Sequence, residues 1–149
     1  FSYQIPLITY AMYKKENELF AKLIKMGVDI NKRDSLGRTP LFWVGVQENG
    51  CPAQSVNLEL LRKLLELGAD VNARAESRSG FSDYCGADFL SDTPLLQAVR
   101  RGDVESVRLL VQFGADLTPT DDNGWTALDF AVQTGQEEIV KVLLEASQQ

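Results

Sequence analysis

Two short strings, Gly114-Ala115-Asp116-Leu117 and Gly124-Trp125-Thr126-Ala127-Leu128, decide how this chain is read, because both recur. The first returns as Gly27-Val28-Asp29-Ile30-Asn31 and Gly68-Ala69-Asp70-Val71-Asn72. The second returns as Gly37-Arg38-Thr39-Pro40-Leu41 and Thr93-Pro94-Leu95. Gly27 to Thr39 and Gly114 to Thr126 are both 12 residues, and Thr93 to Gly114 and Thr126 to Ser147 are both 21. Self-similarity at a fixed period marks a repeat protein, in which one unit cannot bury its faces alone and stacking buries them. Two intervals are longer. Gly68 to Thr93 spans 25 residues, an excess of 13, and Thr39 to Gly68 spans 29, an excess of 8. The first unit, starting near Ile5-Pro6-Leu7, reads one residue longer than the 21-residue spacing.

Each recurring residue has a physical task. Thr39 and Thr93 are placed to cap helices by accepting a backbone N–H. The prolines that follow them suit the first helical position, where a missing N–H is harmless. Gly27, Gly68 and Gly114 suit left-handed helix ends, and Gly102 and Gly135 fall in short turns between paired helices. Asp34 and Asp121, each five residues before the Thr position, suit β-turns. Apolar stripes mark the second helices: Leu60, Leu61, Leu64, Leu65 and Leu67; Val104, Val107, Leu110 and Val111; Ile139, Val140, Leu143 and Leu144.

This pattern resembles the ankyrin repeat, a β-turn plus two helices over about 33 residues. The resemblance covers nearly the whole chain. It implies an all-α repeat fold: an ankyrin-type α-solenoid of about four helix-turn-helix units, with β-hairpin or β-turn loops and two loop insertions. We read a single domain over 1–149, with units near 1–34, 35–74, 75–120 and 121–149. The polar finish of the last helix, with Glu137, Glu138, Lys141, Glu145 and Gln148-Gln149, suits a C-terminal cap. The start, with Phe1, Tyr3, Ile5, Tyr10, Met12 and Tyr13, is apolar for an N-terminal cap. Phe1 stands where Met would begin a chain; a removed signal peptide and a position inside a longer protein leave the same trace.

Composition narrows the chemistry. The chain has 149 residues and no histidine, which removes imidazole-based hydrolysis and most zinc sites. No Gly-rich phosphate loop or dinucleotide fingerprint occurs. Asp121, Asp122 and Asp129 could be taken for a carboxylate cluster, but turn formation and solvation account for them. An enzyme, a cofactor and a metal are therefore not expected. The net charge is −6, divided as +2 over residues 1–34, −3 over 35–92 and −5 over 93–149. Nucleic acid and anionic membranes repel such a chain, and no apolar run is long enough to span a bilayer. Cytoplasmic placement and a monomeric state are expected. Cys51 and Cys85 fit no disulfide framework or metal spacing. They fall at opposite ends of a first helix and are expected to be free thiols.

What the resemblance implies about function is protein recognition on a concave face of hairpin tips and first helices. Carried to this chain, those positions include Leu36, Arg38, Trp43, Phe89, Leu90, Arg100, Arg101 and Trp125. Aromatic and Arg side chains carry most interface hot spots. The 13-residue insertion, running from Arg74 to Leu90, adds Phe81 and Tyr84. It either folds onto the solenoid or meets a partner. The other insertion, Gln47 to Asn57, reads as a surface loop between paired helices. The expected function is a non-catalytic interaction module binding a protein, with a basic partner suiting the acidic C-terminal half. The alternative is a stand-alone inhibitor or immunity-type protein that blocks a partner enzyme.

Overall fold

The computed structural model describes residues 5–35, 37–45, 56–74 and 93–149. Leu36, both insertions' central segments and the two cysteines, with the thiol state expected of them, lie outside the described residues. Eight helices are described: α1 (Leu7–Tyr13), α2 (Asn17–Lys25), α3 (Pro40–Val44), α4 (Leu58–Glu66), α5 (Pro94–Arg101), α6 (Val104–Gln112), α7 (Ala127–Gln133) and α8 (Glu137–Ser147). They pack as the successive pairs α1–α2, α3–α4, α5–α6 and α7–α8. First helices stack on first helices (α1 on α3, α5 on α7), and second helices on second helices (α4 on α6, α6 on α8). Among the described residues the turns contain no strand, only one isolated antiparallel bridge between Thr120 and Thr126.

Local sequence explains most helix ends. Thr93 Oγ1 accepts the Leu96 N–H at 3.3 Å, and Pro94 follows at the first helical position. Thr126 and Asp129 form a capping box, each side chain accepting the other's backbone N–H at 3.2 and 2.9 Å. Asn57 and Asp103 cap α4 and α6 through the N–H groups of Leu60 and Ser106. Thr39 departs from expectation: it holds the cap position of α3, but its side chain makes no capping bond. Gly102 and Gly135 both take φ of +69° in the turn between paired helices. In the first pair Lys15 occupies that place at φ +58°. This fixes the register of the first unit. Pro6, not Ile5, stands at the Thr position, so the unit holds no extra residue.

The core runs between the helices as one cluster. Leu61, Leu64 and Leu65 are buried, as are Val107, Leu110, Ile139 and Leu143. Leu67 and Leu144, placed by the sequence pattern in apolar stripes, are instead exposed, while Leu109 and Val142 are buried. The stripes are therefore rotated slightly from the pattern read in sequence. At the last helix pair Glu137, Glu138, Lys141 and Glu145 are exposed as the pattern implied, and Val132 on α7 and Leu144 on α8 lie open to solvent beside them.

Candidate functional site

The turns between units are tied to each other by side chains. Asp29, Asp70 and Asp116 each accept a backbone N–H two residues on, from Asn31, Asn72 and Thr118. Asn31 then reaches the next turn. Its Nδ2 donates to the Gly68 carbonyl at 3.0 Å, and its Oδ1 accepts the Asp70 N–H at 2.8 Å. Asn72 Oδ1 repeats the contact with the Asp116 N–H at 2.8 Å. A parallel arginine ladder lies two residues further on. Arg33 donates to the Gly37 and Arg74 carbonyls, and Arg74 donates to the Thr120 carbonyl at 2.7 Å. The motif reading missed this ladder. The recurrence of Arg two residues after Asn, at 33 and 74, was its signal.

On this braced scaffold the expected partner residues take three different places. Arg38 and Trp43 are corrected from surface positions to the core. Arg38 is 1% exposed; its Nε donates to Asp34 Oδ2 at 2.7 Å, and its guanidinium lies 4.4 Å from the Trp43 ring centre. Trp43 is 7% exposed; its Nε1 donates to the same Asp34 oxygen at 3.2 Å, and its ring meets Tyr13 of the preceding unit edge-on at 5.6 Å. A carboxylate four residues before Arg38 and nine before Trp43 draws both inward, where a charge needs a partner.

Arg101 is mostly buried as well. It packs against Gly45 of the second unit, where a Cβ would stand 2.7 Å from Arg101 Nη1. Burial pushes its guanidinium below the ordinary arginine value, against the opposing pull of Asp103. Gly45 thus makes room for a cation from the neighbouring unit. Leu36, Phe81, Tyr84, Phe89 and Leu90 lie outside the described residues.

Arg100 and Trp125 remain on the surface, and the fold joins them. Trp125 is 40% exposed and packs against Phe130 with ring centres 6.5 Å apart. The Arg100 guanidinium lies 5.0 Å from the Phe130 ring centre and donates to Asp121 Oδ2 at 2.7 Å. Asp121 Oδ1 accepts the N–H groups of Asn123 and Trp125 at 2.8 and 2.9 Å, closing the turn that presents Trp125. Burial alone pushes the Asp121 carboxyl up, but the N–H groups of Trp125 and Asn123 and the Arg100 charge hold it below the usual carboxylate range. Phe130, absent from the residues singled out in sequence, bridges Arg100 and Trp125. Asp122, Asn123 and Asp129, close to this pair along the chain, are exposed.

This surface presents two tilted aromatic rings, a guanidinium held by Asp121 and exposed carboxylates nearby in sequence. Among the described residues no group of three or more metal-binding side chains occurs, and no helix is long and apolar enough to cross a membrane. A groove of about 380 Å³ opens between α2 and α4, with Phe20, Leu60, Lys15 and Lys63 in its lining.

Comparison with known proteins agrees with this architecture. The sequence profile of the ankyrin repeats, in three copies, matches residues 53–149, more than half of the chain. The chain belongs to the ankyrin repeat family. It is similar to the putative E3 ubiquitin-protein ligase XBAT34 of Arabidopsis thaliana, 32% identical over 78% of this chain and 26% of that protein. It is similar also to the ankyrin repeat domain-containing protein SAT10 of Stachybotrys chartarum, 28% identical over 86% of this chain but 7% of that one. The chain thus spans about a quarter or less of the length of these relatives. In fold it matches an ankyrin repeat domain from Acinetobacter baumannii AYE, with a TM-score of 0.70 over 94% of this chain and 63% of that one at 24% identity. Ankyrin repeats are protein–protein interaction modules, and the fold is generally non-enzymatic.

Proposed function

We propose that this chain is a non-catalytic recognition domain of four ankyrin units, bounded near residues 34, 74 and 120, that binds a protein through the turn-and-first-helix side of its third and fourth units. One observation carries the reading: Trp125, half-open to solvent, rests on Phe130 while Asp121 and Arg100 fix its turn. A large side chain already held in place loses little freedom on binding, which is what an interface anchor requires. The −5 charge of residues 93–149 and the exposed carboxylates of Asp122 and Asp129 favour a basic partner surface. Similarity to a ubiquitin ligase several times longer supports a role as the substrate- or partner-selecting segment of a larger assembly. With no disulfide framework in the sequence, the cytoplasm is the compartment proposed.

The test begins with affinity capture of a partner on the immobilised chain, followed by titration calorimetry with variants. Trp125→Ala should weaken binding by about thirtyfold, the loss of a true hot spot. Arg62→Ala, an exposed change on the second-helix side, should bind like the parent. Circular dichroism checks that each variant folds. If Trp125→Ala binds like the parent while Arg62→Ala loses affinity, the partner uses the opposite side and this reading fails.

A further inference from the structure

Two positions of the repeat change character where the second unit meets the third. Six residues after the Thr position the units carry Met12, Gly45, Val99 and Val132, and four residues after it they carry Tyr10, Trp43, Gln97 and Phe130. Glycine thus stands where the other units hold an apolar side chain, and an amide stands where they hold an aromatic ring. The two departures meet in space. Gly45 ends α3, Gln97 lies on α5, and both line a cavity of about 10 Å³ between these helices, with Leu41, Val44 and Leu110 among its apolar walls. Arg101 completes the lining: a Cβ on Gly45 would stand 2.7 Å from Arg101 Nη1 and 3.4 Å from Gln97 Oε1. Lys14 and Thr134, at the place of Arg101 in the first and last units, are exposed.

This arrangement puts a cation inside the stack without a counter-charge. Among the described residues no carboxylate forms an ion pair with Arg101. Asp103 attracts it through space, but the two oxygens of Asp103 accept the Ser106 N–H and hydroxyl at 3.1 and 2.5 Å. Arg101 Nε and Gln97 Nε2 are both buried, and neither has a hydrogen-bond acceptor among the described residues. Gln97 itself is 5% exposed. A buried charge with no partner is heavily penalised, and unmet buried donors call for an ion or a water. We infer that the cavity between α3 and α5 binds a single halide ion, chloride in ordinary salt, held by the Arg101 guanidinium and the Gln97 amide. Three features select it. The cation at the site brings donors only, since a guanidinium has no acceptor. The volume admits one body of roughly a water's size and is too small for a carboxylate or a phosphate. A water there would meet the donors but leave the charge uncompensated. The ion would join unit two to unit three much as the Arg100–Asp121 pair joins unit three to unit four.

The experiment compares melting of the full chain in sodium chloride and in sodium gluconate at equal ionic strength, gluconate being too large to enter. A site with a Kd of about 10 mM raises the melting temperature by about 3–6 °C at about 100 mM chloride. Sodium bromide should act as chloride does. Chloride-35 NMR reads the ion directly: its line should broaden with the parent protein, and added bromide should reverse the broadening. Two variants test the site. Arg101→Met removes the charge and keeps a linear side chain. Gly45→Ala sets a methyl group against the guanidinium, which sits at the end of a flexible side chain and can shift. Both should lose the chloride response and the line broadening, with circular dichroism checking the fold. If Arg101→Met does not fold, Gly45→Ala carries the test by itself. Equal melting of the parent in the two salts, with no line broadening, overturns the inference. So does a chloride response that persists undiminished in either folded variant, which would put the ion elsewhere. These results are independent of the partner surface at Trp125, which the calorimetry tests separately.

Discussion

Arg100, near the end of α5, reaches forward to Asp121 in the turn before α7, with Nη2 2.7 Å from Oδ2. The contact spans two units and converts a helix end into a fixed part of the surface. The Asp121 carboxylate is 3% exposed, and it also accepts two turn N–H groups. One side chain therefore shapes the turn, positions Trp125 and anchors the third unit to the fourth.

Asp121→Ala should be among the more damaging changes in the chain. It strands the Asn123 and Trp125 N–H groups and leaves the partly covered Arg100 charge without its carboxylate. The expected cost is about 2–4 kcal/mol by urea unfolding. Arg100→Ala keeps the turn bonds and should cost about 1–2 kcal/mol. Equal costs for the two variants would show that the turn bonds contribute little.

Stability should fall in acid. Asp121, Asp116 and Asp129 all titrate below the ordinary carboxylate value. For Asp116 the Thr118 N–H is the main cause and for Asp129 the Thr126 hydroxyl, whereas Asp121 is held down by its N–H partners and Arg100 against the opposing effect of burial. A lowered folded-state pKa adds stability that is complete above the unfolded value of about 3.9 and is lost as pH drops through the folded value. The urea midpoint should hold between about pH 7 and 5 and decline below about pH 4. Asp121→Asn should make that decline shallower. A parent midpoint unchanged at pH 3 would contradict the shifts.

Leu110→Ala tests the stacking directly. Leu110 is 1% exposed on α6, whose neighbours are α4, α5 and α8. Lost burial and a residual cavity should together cost about 2–5 kcal/mol. Calorimetric melting measures it, and an unchanged melting temperature would mean that the cavity refills.

The asparagine ladder has a local signature. Asn72→Ala removes the acceptor for the Asp116 N–H. Hydrogen exchange at Asp116 should accelerate while exchange at Asp70, held by Asn31, stays unchanged. The cost to global stability should be about 1 kcal/mol.

The repeat was legible because its marks are local. Glycines at positive φ, threonines before helices and aspartates in turns answer constraints within a few residues, so the string fixes them wherever it occurs. The candidate surface was only partly legible. Arg100 and Trp125 carry the right chemistry in sequence, but nothing there says that Phe130 lies between them. Nor does the string Arg38-Thr39-Pro40 tell whether its arginine faces water or Asp34.

By itself the sequence determined the period, the helix pairs and the acidic charge of the C-terminal half, since each follows from composition or from spacing along the chain. Tertiary structure alone decided which side chains those units hide. Arg38 and Trp43 are core residues because a carboxylate and a neighbouring unit's tyrosine meet them in space. Val99 is buried and Val132 exposed although both stand at one position of the repeat, because burial depends on what is stacked beyond and not on the residue.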